Sequence, residues 1–198
     1  MDYKQWFKEE FPQLTRETEW SIGLDAAFYL YSLVREQKPE SILEFGSGIS
    51  TAVLARAASL YGGSVHALEH EIAHQQKTES LCRECGLVNV QIIHAPLVEC
   101  AYMGVALRIY DPQKIPPGPY PFVFIDGPPG FLPEHAGRRG TMYAAWPLLT
   151  ETATIILDDA QRPGEQSALD EWQKTLDGTF RVSTVSLERP MARIDLFR

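Results

Sequence analysis

One segment early in the chain constrains the fold more than any other. Residues 41–51 read Ser-Ile-Leu-Glu-Phe-Gly-Ser-Gly-Ile-Ser-Thr. A short apolar run that ends in an acid, passes through Gly-x-Gly and enters an alanine-rich amphipathic segment predicts a β-strand, a glycine turn and a helix. Glycine permits positive φ and close approach of a ligand, and the first helical turn offers unpaired N–H groups. The segment therefore predicts a site for a nucleotide-like cofactor in an α/β protein.

The composition of the chain argues against several classes of binding partner. The chain has 198 residues, enough for one domain with a full core. Its net charge of −8 argues against nucleic acid, whose binding depends on neutralising phosphates. No apolar run approaches the roughly 20 residues that span a bilayer, and residues 1–6 lack the apolar core of a signal peptide. With three cysteines and no disulfide framework, we expect a cytoplasmic protein without a membrane partner.

Strand and helix patterns alternate along the rest of the chain. Apolar spacing predicts helices over 22–36, 53–60, 71–86, 142–149 and 168–176, and strands over 41–46, 64–69, 90–94, 122–126, 153–157, 179–187 and 192–197. Such alternation is typical of a doubly wound, mostly parallel sheet with helices on both faces. We expect seven strands, the last antiparallel because the final two form a hairpin around Pro190.

We assign residues 22–198 to this single domain and treat residues 1–21 separately. Trp6, Phe7, Phe11 and Trp20 make this first segment strongly aromatic. It is a candidate lid over the substrate, a candidate interface for a homo-oligomer, or a cover for the core.

Polar residues recur at the predicted strand ends. In an open parallel sheet, ligands bind beyond the carboxyl ends of the strands. The residues at these ends are Glu44, Glu69, His94, Asp126, Asp158 and Asp159. Glu69 follows Gly48 by about 20 residues, the spacing at which an acid accepts hydrogen bonds from ribose hydroxyls.

From about residue 22 onward, this pattern resembles the class I S-adenosylmethionine-dependent methyltransferases. The match of Glu44, Gly46, Ser47 and Gly48 to the glycine motif of that family implies contacts to the methionine part of the cofactor. Glu69 matches its ribose acid. His94 and Ala95 stand where the family contacts adenine, although the usual acid is absent. Asp126, followed by Gly-Pro-Pro, matches the motif beside the transferred methyl group.

The acids at two strand ends resemble those of the catechol-type O-methyltransferases, which hold a divalent metal there. By that resemblance, Asp126, Asp158 and Asp159 would bind Mg²⁺, which would orient an acceptor hydroxyl and lower its pKa. This chain differs by having Asp159 where those enzymes usually carry Asn. Two alternatives stay open: one aspartate of the pair caps the next helix, or Asp159 acts as a base without metal.

The resulting hypothesis is an O-methyltransferase acting on the hydroxyl of a small molecule. Asp126 and Asp159 are its candidate catalytic residues, and His135, in the loop 128–140, is a candidate general base by position. Arg162 and Glu165 would either pair with each other or hold the aspartates.

Two rival functions have local signals in the sequence. Residues 70–74 read His-Glu-Ile-Ala-His, a formal match to the zinc hydrolase motif, which needs both histidines on one helix face. An NAD(P)-dependent oxidoreductase is the other rival, but Thr51 replaces the third glycine of its fingerprint. Its Tyr-x-x-x-Lys pair occurs only as Tyr110 and Lys114, with a proline between them.

Overall fold

The computed structural model describes residues 1–14, 22–102, 105–129 and 138–198. Within these ranges, seven strands form one sheet in the order β3-β2-β1-β6-β7-β9-β8, and two others form a hairpin. In chain order the strands are β1 (Ser41–Phe45), β2 (Ser64–Glu69), β3 (Val90–His94), β4 (Leu97–Tyr102), β5 (Val105–Tyr110), β6 (Tyr120–Ile125), β7 (Leu149–Leu157), β8 (Thr179–Val185) and β9 (Met191–Phe197).

The sheet is parallel except at one edge. β1 lies between β2 and β6 and is parallel to both, and β3 and β7 extend the parallel set on either side. β9 runs antiparallel to β7 and to β8. The predicted fold class is confirmed, including the hairpin of the last two strands. The strand order reverses at β1 and β6, and ligands bind at such a switch point in open α/β sheets.

Helices cover both faces of the sheet. They are α1 (Tyr3–Glu10), α2 (Leu24–Gln37), α3 (Ile49–Ser59), α4 (Ile72–Glu84), α5 (Arg139–Ala145) and α6 (Pro163–Thr175). One apolar core lies under α2, α3 and α4, and a second lies under α5, α6 and the β4–β5 hairpin. In the part of the chain described above, no helix is long and apolar enough to cross a membrane.

The hairpin of β4 and β5 was not predicted. The sequence analysis leaves most of it inside a long connection between the third and fourth parallel strands. In the structure, Leu107 and Ile109 of β5 are buried in the core that also contains α5. Gly140 of α5 makes this packing possible, because a Cβ there would collide with Cγ2 of Ile109.

The described part of the first segment packs on α2. The ring of Trp6 lies 5.1 Å from that of Phe28 and 5.2 Å from that of Tyr31, measured between centroids. Phe11, which follows α1, is fully buried and belongs to the core under α2 and α3. These contacts favour a core-covering role for α1. Trp20 falls outside the described residues.

We expect Phe11→Ala to destabilise the whole domain. Removing a fully buried phenylalanine costs about 3–5 kcal/mol in a well-packed core. The free energy of unfolding, measured by urea denaturation, should fall by that amount while the transition stays single and cooperative.

Tyr3→Ala provides the control on the same segment, because Tyr3 is 37% exposed and its removal should cost far less. A detachable lid would instead give a Phe11→Ala protein whose main transition is unchanged.

Candidate active site

The carboxyl ends of the parallel strands bring the predicted residues to one edge of the sheet. Glu69 ends β2 and lies directly beside His94, the last residue of β3. Asp126 follows β6, and Asp158 and Asp159 follow β7. Glu44 is the exception, because it lies inside β1 and its side chain is fully buried.

The glycine turn after β1 touches the turn after β6. Gly46 has φ +94°, a conformation that favours glycine, and a Cβ there would lie 3.1 Å from the backbone nitrogen of Gly127. The N–H groups of Asp126 and Gly127 both donate to the carbonyl of Phe45, at 2.9 and 2.7 Å. The two loops at the switch point are therefore held against each other by backbone contacts.

Ser47 links the glycine turn to Glu69. The Glu69 carboxylate accepts hydrogen bonds from the backbone N–H of Ser47 at 3.2 Å and from its hydroxyl at 3.0 Å. Its other oxygen accepts from the N–H groups of His70 and Glu71, at 2.8 and 3.0 Å. Burial alone would raise the pKa of Glu69, but the hydrogen bonds from its neighbours lower it. Glu69 is therefore a charged acceptor at neutral pH.

Glu44 behaves in the opposite way. Burial raises the pKa of its carboxyl group to about 8, although the hydroxyls of Ser50 and Thr51 offset part of this increase. The negative charges of Asp126 and Glu69 raise the pKa further. Near neutral pH, Glu44 is mainly protonated, so it adds little negative charge to the crowded edge of the sheet.

The two residues predicted to contact adenine, His94 and Ala95, lie at the end of β3 next to Glu69. The imidazole Nε2 of His94 lies 3.2 Å from the carbonyl oxygen of His70. Ala95 is fully buried, and its N–H donates to the carbonyl of Glu69 at 2.8 Å. Both residues therefore lie beside the proposed ribose acid.

Carboxylate oxygens of Asp126, Asp158 and Asp159 lie within 4.8 Å of one another, close enough to share a cation. The side chain of Asp126 is 27% exposed, whereas that of Asp159 is 4% exposed. Burial, together with the charges of Asp126 and Asp159, raises the pKa of Asp158 to about 8.

Arg138, at the start of α5, lies among these aspartates. Its side chain is 3% exposed, and its Nη2 donates to Oδ1 of Asp126 at 2.8 Å and to Oδ2 of Asp159 at 3.1 Å. Its Nη1 donates to the carbonyl oxygen of Asp158 at 2.6 Å. The local sequence pattern around Arg138 does not indicate which carboxylates it will meet.

Arg162 and Glu165 also contact members of this cluster. Arg162 pairs with Oδ2 of Asp159 at 2.8 Å, and a carboxylate oxygen of Glu165 lies 4.0 Å from Arg138. Of the two predicted alternatives, pairing with each other or holding the aspartates, the structure shows the second for Arg162. With two guanidinium groups on one carboxylate, Asp159 is poorly placed to act as a free base. Among the three aspartates, Asp126 is the one with substantial exposure. The general-base candidate His135 lies outside the described residues.

Tyr110, the last residue of β5, also belongs to the site, although the sequence pattern did not indicate this position for it. Its fully buried ring lies 5.6 Å from that of Phe45 and 5.9 Å from that of His70, between centroids. Its hydroxyl is packed against Gly127, where a Cβ would collide with it. Among the described residues the hydroxyl has no hydrogen-bond partner. Such a buried, unpaired polar group is costly unless a ligand satisfies it.

Neither rival motif has the required geometry. His70 and Glu71 precede α4, which begins at Ile72, so His70 and His74 do not share one helix face. His74 instead lies 3.7 Å from the carboxylate of Glu71. Tyr110 ends a strand and Lys114 lies in a short 3-10 turn, so the oxidoreductase pair does not occupy a helix either.

Comparison with known proteins identifies the fold. No protein-family model and no curated sequence matches the chain. An O-methyltransferase from Bacillus cereus in complex with S-adenosylhomocysteine is similar with a TM-score of 0.69 and 17% identity, over 98% of this chain and 90% of that chain. TomG, an O-methyltransferase from Streptomyces achromogenes involved in tomaymycin synthesis and bound to S-adenosylmethionine, gives 0.66 and 18% over 100% of both chains.

A precorrin-6y C5,15-methyltransferase from Geobacter metallireducens is similar to the same degree, with a TM-score of 0.67 and 15% identity over 96% of both chains. At these identities the similarity shows the fold, which is that of the class I S-adenosylmethionine-dependent methyltransferases. Because these proteins include both O-methyltransferases and a precorrin methyltransferase, the fold does not determine the methyl acceptor.

We expect Glu44→Gln to change how stability depends on pH. The pKa of Glu44 in the folded protein, about 8, lies above the ordinary value of 4.5. The stabilising effect of its protonated form is therefore complete below the ordinary pKa and is lost as pH rises through the folded one. At about 1.4 kcal/mol per pKa unit, the loss is on the order of 5 kcal/mol.

Urea unfolding of wild type and variant on either side of this pH window tests the effect. The stability of Glu44→Gln relative to wild type should increase with pH, and Asp158, present in both proteins, cancels in the comparison. A constant difference across the window would show that Glu44 titrates normally.

Proposed function

We propose that the protein is an S-adenosylmethionine-dependent methyltransferase that methylates a hydroxyl group of a small molecule. The observation that carries this proposal is the linked pair of Ser47 and Glu69. A glycine turn at the switch point of the sheet is joined there to a charged, buried carboxylate by two hydrogen bonds. This pair lies in a fold whose solved examples include complexes with S-adenosylmethionine and S-adenosylhomocysteine.

The residues present fit this cofactor. Gly46 and Gly127 keep side chains out of the space where their two turns meet, and the unpaired hydroxyl of Tyr110 faces the same place. We assign the methionine part of the cofactor to Gly46, Ser47 and Gly48. Glu69 would then accept hydrogen bonds from the ribose hydroxyls. The adenine would lie beside His94 and Ala95.

The bound cofactor would supply a methyl group on a positively charged sulfur. The acceptor oxygen would attack this methyl carbon in line with the S–CH3 bond, which breaks as S-adenosylhomocysteine leaves. The protein then has to align the acceptor and assist the loss of its proton. Asp126 is our candidate for both tasks, because it follows β6 at the switch point and its side chain is 27% exposed. Its hydrogen bond from Arg138 fixes the orientation of that carboxylate.

A hydroxyl acceptor is favoured by the chemistry of this exposed acid. A carboxylate accepts a hydrogen bond from a hydroxyl and draws away its proton as the oxygen attacks. The O-methyltransferases from Bacillus cereus and Streptomyces achromogenes are consistent with oxygen as the acceptor atom.

We expect Glu69→Gln to weaken binding of S-adenosylmethionine by tenfold or more. The single amide oxygen can accept from Ser47 or from the N–H groups of His70 and Glu71, but not from both sets. The variant also loses the charge that strengthens bonds to ribose hydroxyls, each worth about 1.5–3 kcal/mol. Isothermal titration calorimetry with the purified variant measures the change in affinity.

Glu71→Gln is the matched control, since Glu71 lies two residues away with its side chain 56% exposed and should leave affinity unchanged. Thermal unfolding verifies that both variants are folded. Equal affinity of Glu69→Gln and wild type would remove the ribose assignment.

A further inference from the structure

The acidic cluster at the ends of β6 and β7 already contains a positively charged group, the guanidinium of Arg138. The spacing of Asp126, Asp158 and Asp159 would allow a shared metal ion, and the resemblance to catechol-type enzymes implies one. However, Nη2 of Arg138 lies 2.8 Å from Oδ1 of Asp126 and 3.1 Å from Oδ2 of Asp159. The guanidinium group therefore lies between two of the three carboxylates that a metal would have to join.

A divalent ion and this guanidinium group exclude each other. Protein oxygens lie about 2.0–2.6 Å from Mg²⁺ or Ca²⁺, so an ion bound to the same two oxygens would occupy the space that Nη2 fills. It would also meet a second positive charge at short range. Arginine cannot relieve that repulsion by losing its proton, and the side chain of Arg138 is buried, at 3% exposure, so that displacing it would require its neighbours to move.

The surroundings of Arg138 are built for a fixed guanidinium group. Two of the three guanidinium nitrogens are bonded: Nη2 donates to two carboxylates and Nη1 to the backbone carbonyl of Asp158, whereas Nε has no hydrogen-bond partner among the described residues. Glu165 lies 4.0 Å from Nη1. Arg162 adds a second positive charge on Asp159. The two guanidinium groups thus offset part of the negative charge of the cluster, although Oδ1 of Asp159 has no hydrogen-bond partner among the described residues.

We propose that Arg138 takes the place of the divalent metal, and that this methyltransferase holds its acceptor-facing carboxylate, Asp126, with an internal guanidinium group. The role of Asp126 toward an acceptor rests on the proposed function. The replacement of a metal ion by Arg138 rests only on the contacts within the cluster. Arg138 is a positioning residue in this account, since it acts through Asp126 and not on the acceptor.

Titration with Mn²⁺, monitored by electron paramagnetic resonance of the free ion, tests directly whether the guanidinium group replaces a metal ion. We expect metal-free wild-type protein to show no saturable binding site below millimolar Mn²⁺. Arg138→Met removes the charge while keeping a long side chain, so it should expose three carboxylates at metal spacing and bind Mn²⁺ at least tenfold more tightly than wild type. Arg139→Met is the control, because Arg139 pairs with Glu171 outside the cluster, and it should behave like wild type.

Tight, stoichiometric Mn²⁺ binding by the wild type would overturn the proposal, as would a folded Arg138→Met protein with no gain in affinity. If Arg138→Met does not fold without metal, refolding in millimolar MnCl₂ replaces the titration. Recovery of native circular dichroism supports the proposal, and failure to recover contradicts it.

A separate titration of the metal-free wild type with S-adenosylmethionine distinguishes the two claims. Absence of cofactor binding would reject the proposed function while leaving the Mn²⁺ result as the test of Arg138.

Discussion

The concentration of carboxyl groups at one edge of a parallel sheet is the constraint on which the site depends. Buried charge of one sign is costly unless it is neutralised, paired or hydrogen-bonded. The protein uses all three solutions along a single edge. Glu69 stays charged because backbone and side-chain donors surround it. Burial keeps Glu44 and Asp158 mainly protonated near neutral pH. Asp126 and Asp159 are paired with Arg138.

These solutions divide the edge into two halves with different chemistry. The half formed by β1, β2 and β3 presents a glycine turn and one charged acceptor, Glu69, which suits a cofactor rich in hydroxyls and amines. The half formed by β6 and β7 presents Asp126, held in place by Arg138. The contact between Gly46 and Gly127 joins the two halves at the switch point. A methyl donor and its acceptor would have to meet at this junction.

The sequence was sufficient for features that depend on local pattern. The apolar strand residues, the glycine turn and Glu69 lie in a single stretch of chain, and the alternation of strands with helices indicates a mostly parallel sheet, although not the order of its strands. The predicted strand 64–69 matches β2 without any shift in its ends. The residues at the strand ends could likewise be predicted from where each strand stops, with the exception of Glu44, which lies inside β1.

The features that were missed depend on contacts between distant segments. The β4–β5 hairpin has mixed polarity, with Glu99 opposite Arg108, and therefore lacks a clear periodic signal. Arg138, directly before α5, contacts the carbonyl of Asp158, and α5 can pack on β5 because Gly140 has no side chain to collide with Ile109. Three converging aspartates need a cation, and the sequence pattern indicates that they converge. The pattern does not reveal that Arg138 supplies the positive charge, because Arg138 precedes Asp158 and Asp159 by 20 and 21 positions.

Calorimetric titration of the wild-type protein with S-adenosylmethionine, and separately with NAD, tests the central claim most directly. The account predicts saturable, micromolar binding of S-adenosylmethionine with one site per chain, in metal-free buffer, and no binding of NAD. Binding of NAD alone, or of neither ligand, would contradict the assignment of the Gly46–Gly48 turn and Glu69 to a methyl donor.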